Sequence, residues 1–204
     1  MTKNKLIVFV KNEEAGKVKT RLAETIGDEK ALEVYRQLLA FTQSQSREVM
    51  AEKEVWYSSY IPQKDRWNEG GFLKKKQTGD DLGKRMSDAF NGSFHQEERG
   101  KVVLIGSDCP GLNTEIIEEA FLQLNKHDVV IGPASDGGYY LIGMRKFIPE
   151  IFKGIAWSTN SVFKDSVKII NKKGLSVFVL DKLNDIDTVE DLVNFELRTL
   201  NSER

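Results

Sequence analysis

Four groups of residues in this sequence could do chemistry, and each lies within a few residues after an apolar or β-branched run. The first is Lys11, Gly16, Lys17, Lys19, Thr20 and Arg21. A glycine lets backbone approach an anion, and Lys and Arg neutralise phosphate charge, so this stretch could hold a phosphorylated ligand. The second is Ser107-Asp108-Cys109-Pro110. A carboxylate fixed at a strand end can hold Mg²⁺ or Mn²⁺, hard ions that take one or two carboxylates together with substrate phosphates. The third, Ser135-Asp136-Gly137-Gly138-Tyr139-Tyr140, sets an acid before two glycines. There Asp136 could bind hydroxyls or act as a general base on an attacking hydroxyl. The fourth is Asn184-Asp185-Ile186-Asp187-Thr188, whose two acids point the same way if the chain is extended, giving a second carboxylate for a metal.

Each group also has a purely structural reading. The basic stretch can be a solvated loop, and it lacks the glycine spacing of a P-loop or a dinucleotide fingerprint. Asp108 before Cys109-Pro110 can be a turn former, Asp136-Gly137 a hairpin turn, and Asp185 and Asp187 helix-start residues. Trp157-Ser158-Thr159 reads as an anchor followed by a helix cap. The only histidines are His95 and His127, which weakens any zinc or Ser-His-Asp proposal. Cys109, the only cysteine, has no histidine beside it in sequence and is expected to pack rather than react.

The elements that must position these groups alternate between strand and helix patterns, which predicts an α/β fold with a largely parallel sheet. Leu6–Val10 is expected to be the first, buried strand. A helix should begin near Asp28 as N-cap, with Ala31, Val34, Tyr35, Leu38 and Thr42 on its apolar face. Strands follow at 55–57 and 72–76, then a helix through Leu82, Met86, Ala89 and Phe90. The run 102–105 is the clearest strand, and a helix entered through Asn113 or Thr114 comes after it. Further strands are expected at 129–131, 139–142 and 176–180, with Thr159 capping a helix that stops before Gly174. Thr188-Val189-Glu190-Asp191 resembles a capping box with Asp in place of Glu.

With 204 residues and no repeat, low-complexity tract or linker, the expectation is a single domain spanning 1–204. Thirty Lys plus Arg against 31 Asp plus Glu leave a net charge of −1, so nothing in the bulk charge asks for nucleic acid or an anionic membrane. No apolar stretch is long enough for a membrane span, and a single cysteine fits a reducing compartment, so a cytoplasmic location is expected.

Taken together, the segments resemble one family in order along nearly the whole chain. They are Gly16-Lys17-Val18-Lys19-Thr20-Arg21-Leu22, Gly79-Asp80-Asp81-Leu82-Gly83-Lys84-Arg85-Met86, Gly106-Ser107-Asp108-Cys109-Pro110-Gly111-Leu112, Gly132-Pro133-Ala134-Ser135-Asp136-Gly137-Gly138-Tyr139-Tyr140-Leu141-Ile142-Gly143, Trp157-Ser158-Thr159 and Asp185-Ile186-Asp187-Thr188. This pattern resembles the small bacterial GT-A-type transferases named for arsenosugar biosynthesis, also described as radical-SAM/selenodomain-associated transferases. Related in fold are the phospholactate and molybdenum-cofactor guanylyltransferases.

The resemblance implies a GT-A nucleotide-diphospho-sugar transferase fold, a mostly parallel sheet between helices. It places Lys11, Gly16, Lys19, Arg21 and Ser107 at a nucleotide and its phosphates, with Gly79, Asp80, Leu82 and Arg85 lining base or phosphates. Asp108 and Asp187 become metal ligands for Mg²⁺ or Mn²⁺. Asp136, Gly137, Gly138 and Trp157 fall on the acceptor side, with Asp136 and Arg21 as catalytic groups. The implied activity is transfer of a sugar from a nucleotide diphosphate sugar to a small hydroxyl acceptor. Two departures stand out. Glu13-Glu14-Ala15 precedes the loop glycine where relatives usually have proline, and Pro110 stands where many glycosyltransferases carry the second acid of an Asp-x-Asp pair. A lone Asp there is equally typical of nucleotidyltransferases, so pyrophosphate-releasing nucleotidyl transfer stays open, as does nucleotide binding without turnover.

Overall fold

The run Leu6–Val10 is apolar at every position because both of its faces are covered. In the computed structural model, which describes residues 3–95 and 99–194, it forms strand β1 (Lys3–Val10) at the centre of a seven-stranded sheet. Leu6, Val8 and Val10 enter one hydrophobic core and Ile7 and Phe9 the other, as the two-residue period of a strand dictates.

The chain continues through α1 (Thr20–Ile26), α2 (Asp28–Glu48), β2 (Glu52–Tyr57), β3 (Phe72–Lys76), α3 (Leu82–Phe94), β4 (Arg99–Ile105), α4 (Thr114–Gln123), β5 (Val129–Pro133), β6 (Tyr139–Met144), α5 (Val162–Lys172) and β7 (Val177–Val179). Short 3-10 turns lie at Arg66–Asn68 and Pro149–Phe152. The sheet order is β3-β2-β1-β4-β6-β5-β7. All neighbouring pairs are parallel except the two that involve β6. That strand runs backwards because it leaves β5 through a tight turn, and a short connection can only make antiparallel neighbours.

Helices α2 and α4 pack on one face of the sheet through Leu32, Tyr35, Leu39, Ile117 and Phe121. On the other face α3 and α5 pack through Met86, Phe90 and Ile170. The expected mostly parallel sheet between helices is therefore the observed one. Asn113 caps α4 by accepting from the Ile116 N–H at 3.0 Å. Thr188 and Asp191 form the expected reciprocal box, with Asp191 N–H donating to the Thr188 hydroxyl at 3.2 Å and Thr188 N–H donating to the Asp191 carboxylate at 2.8 Å.

Three local expectations differ. The stretch after β1 contains α1, a helix not foreseen in what reads as a loop. The N-cap of α2 is Gly27, at φ 85°, with Asp28 already the first helical residue. Thr159 does not cap α5: its hydroxyl donates to the Ala156 carbonyl at 2.7 Å, and the helix starts later, from Ser161. Among the described residues no helix is long and apolar enough to cross a membrane.

Candidate active site

The loops after β1 and β4 leave neighbouring parallel strands, and from β1 the chain turns towards β2 while from β4 it continues to the other side of the sheet. Crevices at such switch points, beyond the carboxyl ends of strands, are where open α/β sheets bind ligands. Tyr35 of α2 ties the two loops together. Its hydroxyl accepts from the Lys11 N–H at 2.8 Å and lies 3.4 Å from the Ser107 hydroxyl. Burial first, and then the nearby Asp108 charge, push the Tyr35 phenol above its ordinary range, so it is a fixed neutral strut.

Lys19 occupies the centre of the site. It is the N-cap of α1 in a left-handed conformation, φ 48°. Its side chain is 3% exposed, and its ammonium lies 3.1 Å from a carboxylate oxygen of Asp108 and 3.1 Å from one of Asp187. Arg21, the second residue of α1, bonds the other Asp187 oxygen. Asp187 reaches this place because the segment after β7 runs beside the end of β5. Ala134 bridges to Leu183 there, and the Ile186 N–H donates to the Asp108 carbonyl at 3.1 Å. These groups and Lys11 line a cavity of about 160 Å³.

A second cavity of about 600 Å³ opens on the other side of Arg21. Its polar wall carries Asp136, Asp185 and Asn160, and its apolar wall Leu82, Tyr139 and Trp157. The turn Asp136-Gly137-Gly138 is both the β5–β6 hairpin and part of this wall. Asp136 accepts from the Gly138 N–H at 2.8 Å. Gly137 sits at φ 92° under Asn160, whose carbonyl oxygen would stand 2.2 Å from any Cβ placed there. Among the described residues the non-glycine positions with positive φ are Lys19 and Ser158, at φ 64°, and one lines each cavity. Backbone held in such conformations gathers where function over-determines it.

The carboxylates are unevenly compensated. Asp187 has Lys19 and Arg21, and Asp108 has Lys19. Asp185 has no hydrogen bond or ion pair among the described residues, and its carboxyl is pushed up to about 7 from an ordinary 3.8. Loss of solvent is the largest cause, followed by the charges of Asp108, Asp136 and Asp187, with Lys19 pulling the other way. Because the folded state keeps this proton after the unfolded chain has lost it, stability is fullest below pH ~4 and falls as pH rises towards 7. In metal-free protein, Asp185→Asn should therefore match the parent's Tm below pH ~4, exceed it increasingly as pH rises towards 7, and stay a few degrees above it at pH 8. A Tm difference independent of pH would show that Asp185 is ionised throughout.

The sequence-predicted residues divide among these places. Lys11, Lys19, Arg21, Asp108 and Asp187 line the smaller cavity. Asp136, Gly138 and Trp157 line the larger one together with Arg21, and Gly137 supports it from beneath. Leu82, grouped with the nucleotide contacts by resemblance, lines the larger cavity. Ser107 is buried behind the smaller cavity, against Tyr35. Gly16 lies outside both cavities, at φ 75° with Asp28 beside it. Gly79 and Arg85 hold each other, the guanidinium donating to the Gly79 carbonyl at 3.0 Å, and the exposed Asp80 lies beside them in sequence. Cys109 is buried, and its thiol is pushed up to about 12, first by burial and next by Asp185, which fits packing and not nucleophilic attack. Asp185 itself, paired with Asp187 in the sequence reading but given no role by the resemblance, emerges as a wall of the larger cavity.

Among the described residues no three His, Cys, Asp or Glu side chains converge into a ready-made metal centre. Two carboxylates converging on one ammonium, with a third uncompensated nearby, are a donor set for a hard cation that takes its remaining ligands from phosphate and water.

No curated protein matches the chain in sequence. A solved structure from Desulfovibrio desulfuricans G20, provisionally named a nucleotide-diphospho-sugar transferase, is 36% identical, with 94% of this chain and 85% of that one covered and a TM-score of 0.86. The 4-diphosphocytidyl-2C-methyl-D-erythritol synthase of Anaerococcus prevotii DSM 20548 aligns over 97% of this chain and 96% of its own at 11% identity and TM-score 0.60. Rv0371c of Mycobacterium tuberculosis H37Rv, solved in complex with manganese, aligns over 95% and 97% at 14% identity and TM-score 0.56. At such low identities the last two speak for the fold alone. A family model described as "Uncharacterized protein conserved in bacteria (DUF2064)" matches residues 34–159, more than half of the chain, and the protein belongs to that family.

Proposed function

We propose that the protein is a metal-dependent transferase that moves a sugar from a nucleotide diphosphate sugar to a hydroxyl of a small acceptor. The observation that carries this reading is the pair of cavities joined at Arg21. One is small, with Lys19 and Arg21 at its wall, and suits a diphosphate; the other is large, with Asp136 at its edge, and suits a sugar and an acceptor. The name of the 36%-identical relative points the same way.

Asp108 and Asp187 would hold Mg²⁺ or Mn²⁺, which supplies charge screening to the diphosphate as it leaves. Lys19 and Arg21 donate to the diphosphate oxygens, and Asp187 holds both cations in place before the ligand arrives. Lys11 adds positive charge at the same rim. The acceptor oxygen forms a bond to the anomeric carbon, and the carbon–oxygen bond to the diphosphate breaks with its electron pair staying on phosphate. The proton of the acceptor hydroxyl passes to Asp136, whose carboxylate is exposed to the cavity. Gly79 and Arg85, beyond the end of β3, are assigned to the base or phosphates of the nucleotide.

Nucleotidyl transfer is the second reading, favoured by Pro110 in place of a second acid. There Lys19 and Arg21 would stabilise charge at an attacked α-phosphate, and pyrophosphate would leave. The bond broken separates the two. With Mg²⁺ or Mn²⁺, incubation with a panel of nucleotide sugars should release nucleoside diphosphate from at least one, even when water is the acceptor. Acceptor-dependent pyrophosphate release from a nucleoside triphosphate, with every nucleotide sugar left intact, would overturn glycosyl transfer. Nucleotide binding with neither product would leave a binding domain.

A further inference from the structure

The larger cavity carries more information about its occupant than the reaction type does. Resting on the glycosyltransferase reading, we infer that the acceptor is an uncharged, hydroxyl-bearing ring compound and not a phosphorylated one, and that Trp157 is the residue that selects it.

Charge is the first argument. Among the described residues Arg21 is the one basic residue lining this cavity, and its guanidinium is already bonded to Asp187. Asp136 and Asp185 stand on the same lining with no basic partner of their own. A phosphomonoester carries about −1.5 to −2 charges at neutral pH and would meet the Asp136 carboxylate with no unpaired basic side chain on the lining to receive it. A hydroxylated ring meets complementary groups instead. One Asp136 oxygen accepts from the Gly138 N–H, leaving the other for a ligand hydroxyl. The Ser158 hydroxyl and Asn160 carboxamide are exposed and make no side-chain hydrogen bond among the described residues.

The apolar wall is the second argument. Trp157 packs so closely on Gly83, at the start of α3, that a Cβ there would lie 2.3 Å from its Cε2 and Nε1. Tyr139 beside it turns its hydroxyl away towards the Met86 sulfur, at 3.7 Å, so its ring and not its polar end serves the cavity. Leu82, 45% exposed, adds a third apolar side chain to this lining. A lining that holds both apolar and polar side chains fits a compound that presents both ring carbons and ring hydroxyls. Neither a phosphate nor a wholly apolar molecule uses both.

Gly83 is thus a positioning residue for Trp157, and the two offer independent handles. The test is a ligand-observed saturation-transfer titration of the protein loaded with nucleoside diphosphate and Mg²⁺. The matched probes are myo-inositol against inositol 1-phosphate, and methyl glucoside against glucose 1-phosphate. We expect at least one neutral ring to bind about tenfold or more tightly than its phosphorylated partner, a difference of one decade in Kd. Trp157→Ala and Gly83→Ala should each weaken that neutral ring about tenfold, the second by displacing the indole, while nucleoside diphosphate affinity stays at the parent value and reports an intact fold. Tighter binding of the phosphorylated members overturns the inference, as does no binding of any probe, or ring binding indifferent to both substitutions. This titration needs no turnover, so its failure is separable from failure of the glycosyltransferase reading, which is judged by whether diphosphate or pyrophosphate leaves.

Discussion

Asp108→Asn should lower metal-dependent affinity for a nucleoside diphosphate about 100-fold while leaving the fold intact, because the substitution removes one charge from a site built on two carboxylates. Asparagine keeps the shape of the side chain. The turn that carries it is held by backbone bonds, with Leu112 N–H donating to the Cys109 carbonyl at 3.2 Å and Ile186 N–H to the Asp108 carbonyl at 3.1 Å. The side chain's ion-pair contact is Lys19, and at 42% exposed Asp108 contributes no more than about 1 kcal/mol through that pair. Without metal, the variant should bind nucleoside diphosphate as well as the parent or slightly better, since Lys19 loses a competing carboxylate. The check is a pair of calorimetric titrations, with and without Mg²⁺. Equal metal dependence in variant and parent would make Asp108 a turn former and remove it from the site. A variant weakened equally under both conditions would mean that its fold had suffered.

How far the sequence carried this picture follows from the range of the forces involved. Strands β1 and β4 were legible because burial on both faces leaves an unbroken apolar run, and the caps at Asn113 and Thr188 were legible because capping is a contact within four residues. Helix α1 was not, since its seven residues bury only Leu22 and show no period before Gly27 ends them. At Thr159 the local signal misled, because its hydroxyl is spent on Ala156 before the helix begins. The site was legible as separate groups but not as an assembly. Lys19 and Asp187 lie 168 residues apart, and only the pairing of the 181–187 segment with the end of β5 brings them together. Nor does lysine advertise a left-handed backbone, so the conformation that aims Lys19 inward had no signal at all. The place of Leu82 and Trp157 on one cavity lining had no local signal either, since it depends on Trp157 arriving from a distant turn onto Gly83.

Replacing Lys19 should move two affinities in opposite directions, a pattern that a general loss of structure cannot imitate. Lys19→Met keeps the buried aliphatic stem, which is 3% exposed, and deletes only the ammonium between Asp108 and Asp187. In the absence of nucleotide those two carboxylates lose their shared counter-charge, so their affinity for Mn²⁺ should rise, about fivefold for removal of one competing charge nearby. For nucleoside diphosphate the loss of a charge-assisted contact should dominate, lowering affinity about 10- to 100-fold. Binding of the bare nucleoside should not change, because it has no phosphate for Lys19 to meet. Arg21→Ala should reproduce the phosphate-dependent loss in smaller degree, since its guanidinium is mostly exposed and already screened by solvent. Raising the salt concentration should shrink the preference for diphosphate over nucleoside in both parent and Lys19→Met variant, because the exposed Arg21 guanidinium remains in each. Manganese titrations followed by paramagnetic resonance, and nucleotide titrations by calorimetry, read the two affinities separately. If nucleoside and nucleoside diphosphate weaken alike, Lys19 supports the base or the fold, and the small cavity is not the place where phosphate binds. If Mn²⁺ affinity falls instead of rising, the two carboxylates depend on Lys19 for their position, and the metal must be held elsewhere.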